Sequence, residues 1–249
     1  MTDPSSFVCR YCNLNISPPF KKWQNTKKQL SVIWCPKCHF GWLNPYPSDS
    51  QLKNLYEKQE VYFEDFVDET QGGFDLRIKR INKIKPEKGK LLDIGSGLGH
   101  FLYHAQRGGW EVDGIEPRVK AADYCSKKFN IKVQNNYFEE FKNKENTKYD
   151  LMTLWDVLEH VNNPFQQMER SIQLLKKDGL LIFSIPNCSG INAKIFRGNW
   201  RYTMSVHINY FTFKFISDYL EKQGLQIIRA DHTIKIQSIV EGISNILPM

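Results

Sequence analysis

Apolar positions fall into two regimes along the chain. Before Pro86 they are scattered among turn residues; after it, short apolar runs alternate with stripes of helical period. In the first regime, Ser48-Asp49-Ser50-Gln51 has the form of a capping box, predicting a helix with Leu52, Leu55 and Tyr56 on its apolar face. Residues 74–85 predict a second helix, with Ile78 and Ile81 inward and Arg77, Lys79, Arg80 and Lys83 mostly outward. Runs at 91–94, 112–115, 131–133, 149–155, 180–185 and 225–236 predict six strands. Helices are expected between them at 97–107, from Pro117 to about Phe129, from Asn163-Pro164 to Gly179, and from Thr212 to Gly224. This alternation predicts an α/β fold, a mostly parallel sheet with helices on both faces. Residues 187–211 read as an irregular insert rich in aromatics and glycine. At the end, Ile236, Ile239, Val240, Ile243, Ile246 and Leu247 share one helical stripe. An amphipathic helix is therefore expected there and a seventh strand is expected to be missing. The sheet would have six strands, or its open edge would be covered by another chain in an oligomer.

The 249 residues allow one ordinary domain and a small module. No run of 18 apolar residues occurs, so no membrane span is expected. The start, MTDPSSFVC, lacks a basic segment followed by an apolar one, so a cytoplasmic location with reduced thiols is expected. The six cysteines then read as four metal ligands, Cys9, Cys12, Cys35 and Cys38, plus Cys125 and Cys188. Two C-x2-C pairs give zinc a closed thiolate shell with no open position, hence a structural Zn2+. The pattern divides the chain into a zinc-ribbon module at 1–47, a helical connector at 48–88 and a catalytic domain at 89–249. Net charge is +7, of which +5 lies in residues 1–47. Four thiolates and one Zn2+ would trim that local excess to about +3.

The stretch LLDIGSGLGHFL places Asp93 ahead of Gly95, Gly97 and Gly99 at a strand-to-helix turn. Glycines serve where backbone turns tightly or approaches a ligand. The dinucleotide fingerprint does not fit, because its third glycine would fall at His100. The D-x-G-x-G-x-G spacing resembles motif I of the class I S-adenosylmethionine-dependent methyltransferases. A carboxylate at Asp93 suits a cofactor carrying an ammonium and a sulfonium. Glu116 ends the second strand, where an acid can take both ribose hydroxyls. YDLMTLWDVLEHVNNP resembles the family's motif IV region.

With the two C-x2-C pairs, NPYPSDSQLKNLY, VLEHVNNP and HINYFTFKFISDYLEKQGL, residues 9–224 resemble bacterial-type methyltransferases with an N-terminal zinc ribbon. These often act on sugars or glycan-type acceptors. The resemblance implies a Rossmann-like class I methyltransferase sheet. It implies S-adenosylmethionine held by Asp93, Gly95, Ser96, Gly97, Gly99, His100, Phe101, Glu116, Pro117, Asn136, Tyr137, Trp155 and Asp156. Asn135-Asn136 stand where the family often has an acid near the adenine.

Methyl transfer to a hydroxyl needs a base of near-neutral pKa, and His160 and His207 are the candidates. His160 serves equally as an orienting group for its loop, and His104 reads as solvated or packed. Trp200, Tyr202 and Tyr210 suit an apolar acceptor wall or mutual packing. Three functions are therefore carried forward: O-methylation of a sugar, glycan or related small acceptor; RNA methylation, since lysines beside zinc can hold phosphates; and a non-catalytic, methyltransferase-like binding protein.

Overall fold

The computed structural model describes residues 6–58, 67–143, 146–232 and 235–242. The elements in chain order begin with strands β1 Phe7–Val8, β2 Asn15–Ile16, β3 Lys22–Asn25, β4 Leu30–Trp34 and β5 Gly41–Asn44. Helices α1 Asp49–Lys58 and α2 Val67–Ile84 follow. Then come β6 Lys90–Ile94, α3 His100–Arg107, β7 Glu111–Ile115, α4 Val119–Phe129, β8 Val133–Gln134, β9 Tyr149–Trp155, α5 Pro164–Leu174 and β10 Leu175–Pro186. The chain continues through α6 Ile191–Phe196, β11 Asn209–Tyr210, α7 Phe213–Lys222, β12 Leu225–His232 and β13 Lys235–Gly242.

The main sheet has the order β12-β13-β10-β9-β6-β7-β8. From β8 to β10 its strands are parallel, and β13 runs antiparallel between β10 and β12. Buried on both faces, β6 and β9 read as near-continuous apolar runs, which is why they were legible as strands. The helix starts follow side-chain chemistry. Ser48 N donates to Gln51 Oε1 at 2.8 Å and Gln51 N to Ser48 Oγ at 3.3 Å, closing the capping box of α1. Asn163 caps α5 through Gln166 N, and Thr212 caps α7 through Phe215 N.

Three expectations are corrected. The seventh strand is present: β13 pairs with β10 from Leu180↔Glu241 to Pro186↔Lys235. Residues 236–240 of the expected helix are strand, because pairing satisfies the edge of β10 that a helix would leave open. Ile243, Ile246 and Leu247 lie outside the described residues. With β13 in place, the edge that a second chain was expected to cover is already filled. Second, α5 ends at Leu174, short of Gly179, because Leu175 joins the ladder opposite Tyr149. Third, residues 187–211 carry α6 and β11, and β11 adds to the β5-β4-β3 sheet of the N-terminal module.

That module does not stand apart. Tyr11 packs on Phe165 and Phe215 with ring centroids 4.8 and 4.9 Å apart, and Phe40 packs on the same two rings at 5.2 Å. One buried cluster runs from Cys9, Ile33 and Phe40 into Leu154, Ile185 and Phe211 of the main domain. Trp200 and Tyr210 are buried against Trp23, Trp34 and Leu43. They and Tyr202 therefore cover the module, and none of the three lines the main cavity.

Candidate active site

The two cysteine knuckles are built alike. Asn13 and His39 each follow a C-x2-C pair in left-handed backbone, with φ of 55° and 63°. Each closes its knuckle by donating its N–H to Cys9 O at 3.0 Å and to Cys35 O at 3.1 Å. The four sulfurs lie within 4.8 Å of one another. Cys9 Sγ to Cys38 Sγ and Cys12 Sγ to Cys35 Sγ are both 3.6 Å. A tetrahedral Zn–S distance of about 2.3 Å requires sulfurs about 3.8 Å apart, so the donor set fits a structural zinc ion. The Cys38 hydrogen bond holds the Cys9 thiol down to about 5, while Cys38 is pushed up by the same contact and by burial.

At the carboxyl ends of β6, β7 and β9 lies a cavity of about 1020 Å3, at the large end for a ligand site. The loop after β6 opens it. Gly97 has φ +56°, and a Cβ placed there would meet only Arg118 Nη2 at 3.9 Å, so the space above this backbone is open for a ligand. Gly95 lines the cavity as well. Gly99 does not: its φ is +80° and a Cβ would fall 2.1 Å from Cys125 Sγ, so it lets α3 approach α4.

Asp93 is 1% exposed and accepts a 2.6 Å hydrogen bond from Thr153 Oγ1. Burial pushes its carboxyl up to about 7; Thr153 and Arg77 pull it back and Glu116 adds to the rise. Glu116, 2% exposed, takes Gly97 N–H at 2.8 Å on one oxygen. Its other oxygen takes Arg118 N–H at 3.0 Å and Arg118 Nε at 2.7 Å. Asn135 Nδ2 donates to the carbonyls of Glu116 and Pro117, fixing the end of β7. Pro117, Tyr137, Phe101, Trp155 and Asp156 all line the cavity, whereas Asn136 does not. Asp156 sits in left-handed backbone at φ +56°, an unusual state for an aspartate, and accepts Ser184 Oγ at 2.8 Å.

The wall suits S-adenosylmethionine on these grounds. Ser96 Oγ, His100 Nε2 and Trp155 Nε1 belong to lining residues and are buried without a protein partner. Buried polar atoms left so are what a polar ligand satisfies. Two carboxylates offer acceptors for an ammonium and for ribose hydroxyls. His100, its pKa lowered by burial, and Arg77 offer donors to a carboxylate.

Arg77 was expected to face outward. It lines the cavity instead, its guanidinium 4.5 Å from the centroid of the Trp155 ring. Burial lowers its pKa, with Asp156 and Asp93 opposing that fall. The signal was available: Phe74, Arg77, Ile78 and Ile81 share one stripe of the helix. Thr153 and Lys53 were also missed; Lys53 lines the cavity from α1, 5.3 Å from the Tyr137 ring centroid.

His160 lines the cavity; His207 stands behind it, 6% exposed, with the two ring centroids 4.6 Å apart. His160 Nδ1 faces Val206 O at 2.8 Å and His207 Nδ1 faces Tyr202 O at 2.9 Å. A carbonyl only accepts, so both rings carry a proton on Nδ1. His104 packs edge-on against Tyr103 at 5.4 Å, on α3, and does not line the cavity. Among the described residues no helix is long and apolar enough to cross a membrane.

A ubiquinone biosynthesis O-methyltransferase of Actinobacillus pleuropneumoniae serotype 7 (strain AP76) is 30% identical over 107 residues, covering 39% of this chain and 46% of that protein. The chain thus matches about half the length of that relative. An uncharacterized protein of Methanocaldococcus jannaschii is 26% identical over 186 residues, covering 73% of this chain and 85% of that protein. A SAM-dependent methyltransferase structure from Thermotoga maritima shares the fold with a TM-score of 0.60 at 16% identity, covering 77% of this chain and 99% of that one. The profile of the methyltransferase-domain family matches residues 43–230, three quarters of the chain, and the chain therefore belongs to that family.

Proposed function

We propose that the chain methylates an oxygen of a sugar, glycan or related small hydroxylated acceptor. The observation that carries this reading is the histidine pair: His160 on the cavity wall and His207 behind it, ring centroids 4.6 Å apart, each with Nδ1 on a backbone carbonyl. A hydroxyl needs a base as it is methylated, and an imidazole can supply one. The relative named as an O-methyltransferase supports transfer to oxygen.

In this reading Asp93, Gly95, Ser96, Gly97, His100, Phe101, Glu116, Pro117, Tyr137, Trp155 and Asp156 hold the cofactor, with Arg77 on its carboxylate. S-adenosylmethionine supplies an activated methyl group when bound. The protein holds the acceptor oxygen in line and keeps water out. His160, on the cavity wall, takes the acceptor proton on Nε2, and His207 behind it shares the resulting charge. The wall also offers Asn162, Asn163, Gln166, Glu139 and Glu140, which suits an acceptor with several hydroxyls. An acceptor in ubiquinone biosynthesis, as in the relative's name, is the second reading. Two of the module's five lysines are turned to the protein, which weakens the RNA reading: Lys28 Nζ donates to Thr203 O at 3.1 Å, and Lys21 lies 5.2 Å from the Trp34 ring centroid.

The test is transfer of a labelled methyl group to cell extract fractionated into small molecules, glycans and RNA. Label in a hydroxylated small-molecule or glycan fraction, lost in Asp93→Ala and His160→Gln, is the expected result. Label confined to RNA would reject it.

A further inference from the structure

The cysteine module and the histidine pair meet at one buried side chain. Asn209, in β11, is 3% exposed. Its Nδ2 donates to Leu158 O at 2.9 Å and to Val161 O at 2.6 Å, so both amide hydrogens are spent on the turn that carries Glu159 and His160. Its Oδ1 accepts from Tyr46 Oη at 3.4 Å, just beyond β5, and the same hydroxyl lies 3.2 Å from Asn162 O. The backbone repeats the connection. Ile208 N and Asn209 N both donate to Glu159 O, at 2.8 and 3.1 Å. On the other side Leu43 N donates to Ile208 O at 3.0 Å, and Asn209 pairs with Trp42 of β5.

This junction fixes both histidines. His160 belongs to the turn that Asn209 ties, and its Nδ1 faces Val206 O on the segment leading into β11. His207 lies on that same segment, two residues before Asn209, with its ring stacked on Tyr202 at 5.7 Å and 9°. The strand that positions the segment is β5, which leaves the second cysteine knuckle. Without the amide, the buried Leu158 carbonyl and the part-buried Val161 carbonyl lose this donor.

We infer that Asn209 is a positioning residue through which the cysteine module, by way of β5 and Tyr46, sets the His160–His207 pair. This rests on the reading that the pair faces the acceptor. The part of the cofactor half on β6 and β7 makes none of these contacts; Trp155 and Asp156, at the end of β9, lie just before the turn. Asn209 therefore acts chiefly on ring placement.

The test reads the histidines directly and needs no acceptor. Nitrogen-15 imidazole spectra of the full-length, zinc-loaded protein report tautomer and titration for each ring. Asn209→Ala and Tyr46→Phe are compared with the parent, with zinc per chain and calorimetric affinity for S-adenosylhomocysteine as controls. In Asn209→Ala we expect the His160 and His207 imidazole signals to shift as the rings lose their Nδ1–H bias. Zinc content should hold, and cofactor-product affinity should stay within about threefold. Tyr46→Phe should shift both rings the same way by less. Unchanged histidine spectra in Asn209→Ala overturn the inference. If Asn209→Ala does not fold, Tyr46→Phe decides: shifted rings in an intact fold sustain it, and unmoved rings overturn it. Failure of the parent protein to methylate any hydroxylated fraction would count against the hydroxyl-acceptor reading while leaving this result in place.

Discussion

The two halves of the cavity are made in opposite ways. The cofactor half is local: Asp93, Gly97 and Glu116 lie within one strand–loop–helix–strand unit, joined by bonds such as Gly97 N–H to Glu116 at 2.8 Å. The acceptor half is assembled from a distance. His160 comes after β9 and His207 from the insert, and the strand beside them, β11, belongs to a sheet begun near residue 22. A local unit carries its own geometry, so a short motif suffices to announce it. A distant assembly depends on every segment that braces it, including a metal module with no chemistry of its own.

Removing a zinc ligand tests this division most severely. Cys35→Ala should abolish stoichiometric metal and give the largest fall in Tm, since metal binding supplies on the order of 10 kcal/mol in segments this small. Affinity for S-adenosylhomocysteine, measured where the variant is still folded, should change little. A parallel loss of both would show that the halves are one unit. Glu116→Ala should do the reverse. It strips a buried acceptor from Gly97 N–H and Arg118, so cofactor affinity should fall by roughly 100-fold, about 3 kcal/mol, with zinc per chain unchanged by metal analysis.

The third effect is one of pH. Asp93 titrates at about 7 in the folded chain, against roughly 4 when unfolded. Between those values the folded state binds the extra proton. Stability of the cofactor-free protein therefore falls as pH rises from about 4 to about 7 and levels above that. A cationic cofactor favours the ionised form, so S-adenosylmethionine should bind more tightly at pH 8 than at pH 6, by at most about tenfold per unit below the pKa. Calorimetry in buffers of different ionisation enthalpy should show a proton released, and Asp93→Asn should flatten both trends. The smallest effect belongs to Ser48→Ala, which opens the capping box of α1 and should cost about 1 kcal/mol by denaturant melts without altering cofactor affinity.

The legibility of the two halves follows the same line. Strand β9 and the caps at Ser48, Asn163 and Thr212 were readable because periodicity and side-chain-to-backbone bonds act over a few residues. Arg77 was misread although its stripe was in view, because a charged residue reads as solvent-facing until a cavity is known to accept it. Asn209 carried no signal at all: its partners, Leu158, Val161 and Tyr46, are near it only after folding.

By itself the sequence determined the four-cysteine cluster, the parallel core of the sheet and the glycine loop with its two acids. Each depends on contacts closed by short stretches of chain. Only the tertiary structure decided that residues 235–242 become the seventh strand, that Trp200 and Tyr210 roof the cysteine module, and that His160 and His207 share one frame. In each case a local preference was outweighed: an open strand edge, exposed apolar rings and a buried carbonyl each cost more than the local alternative saves.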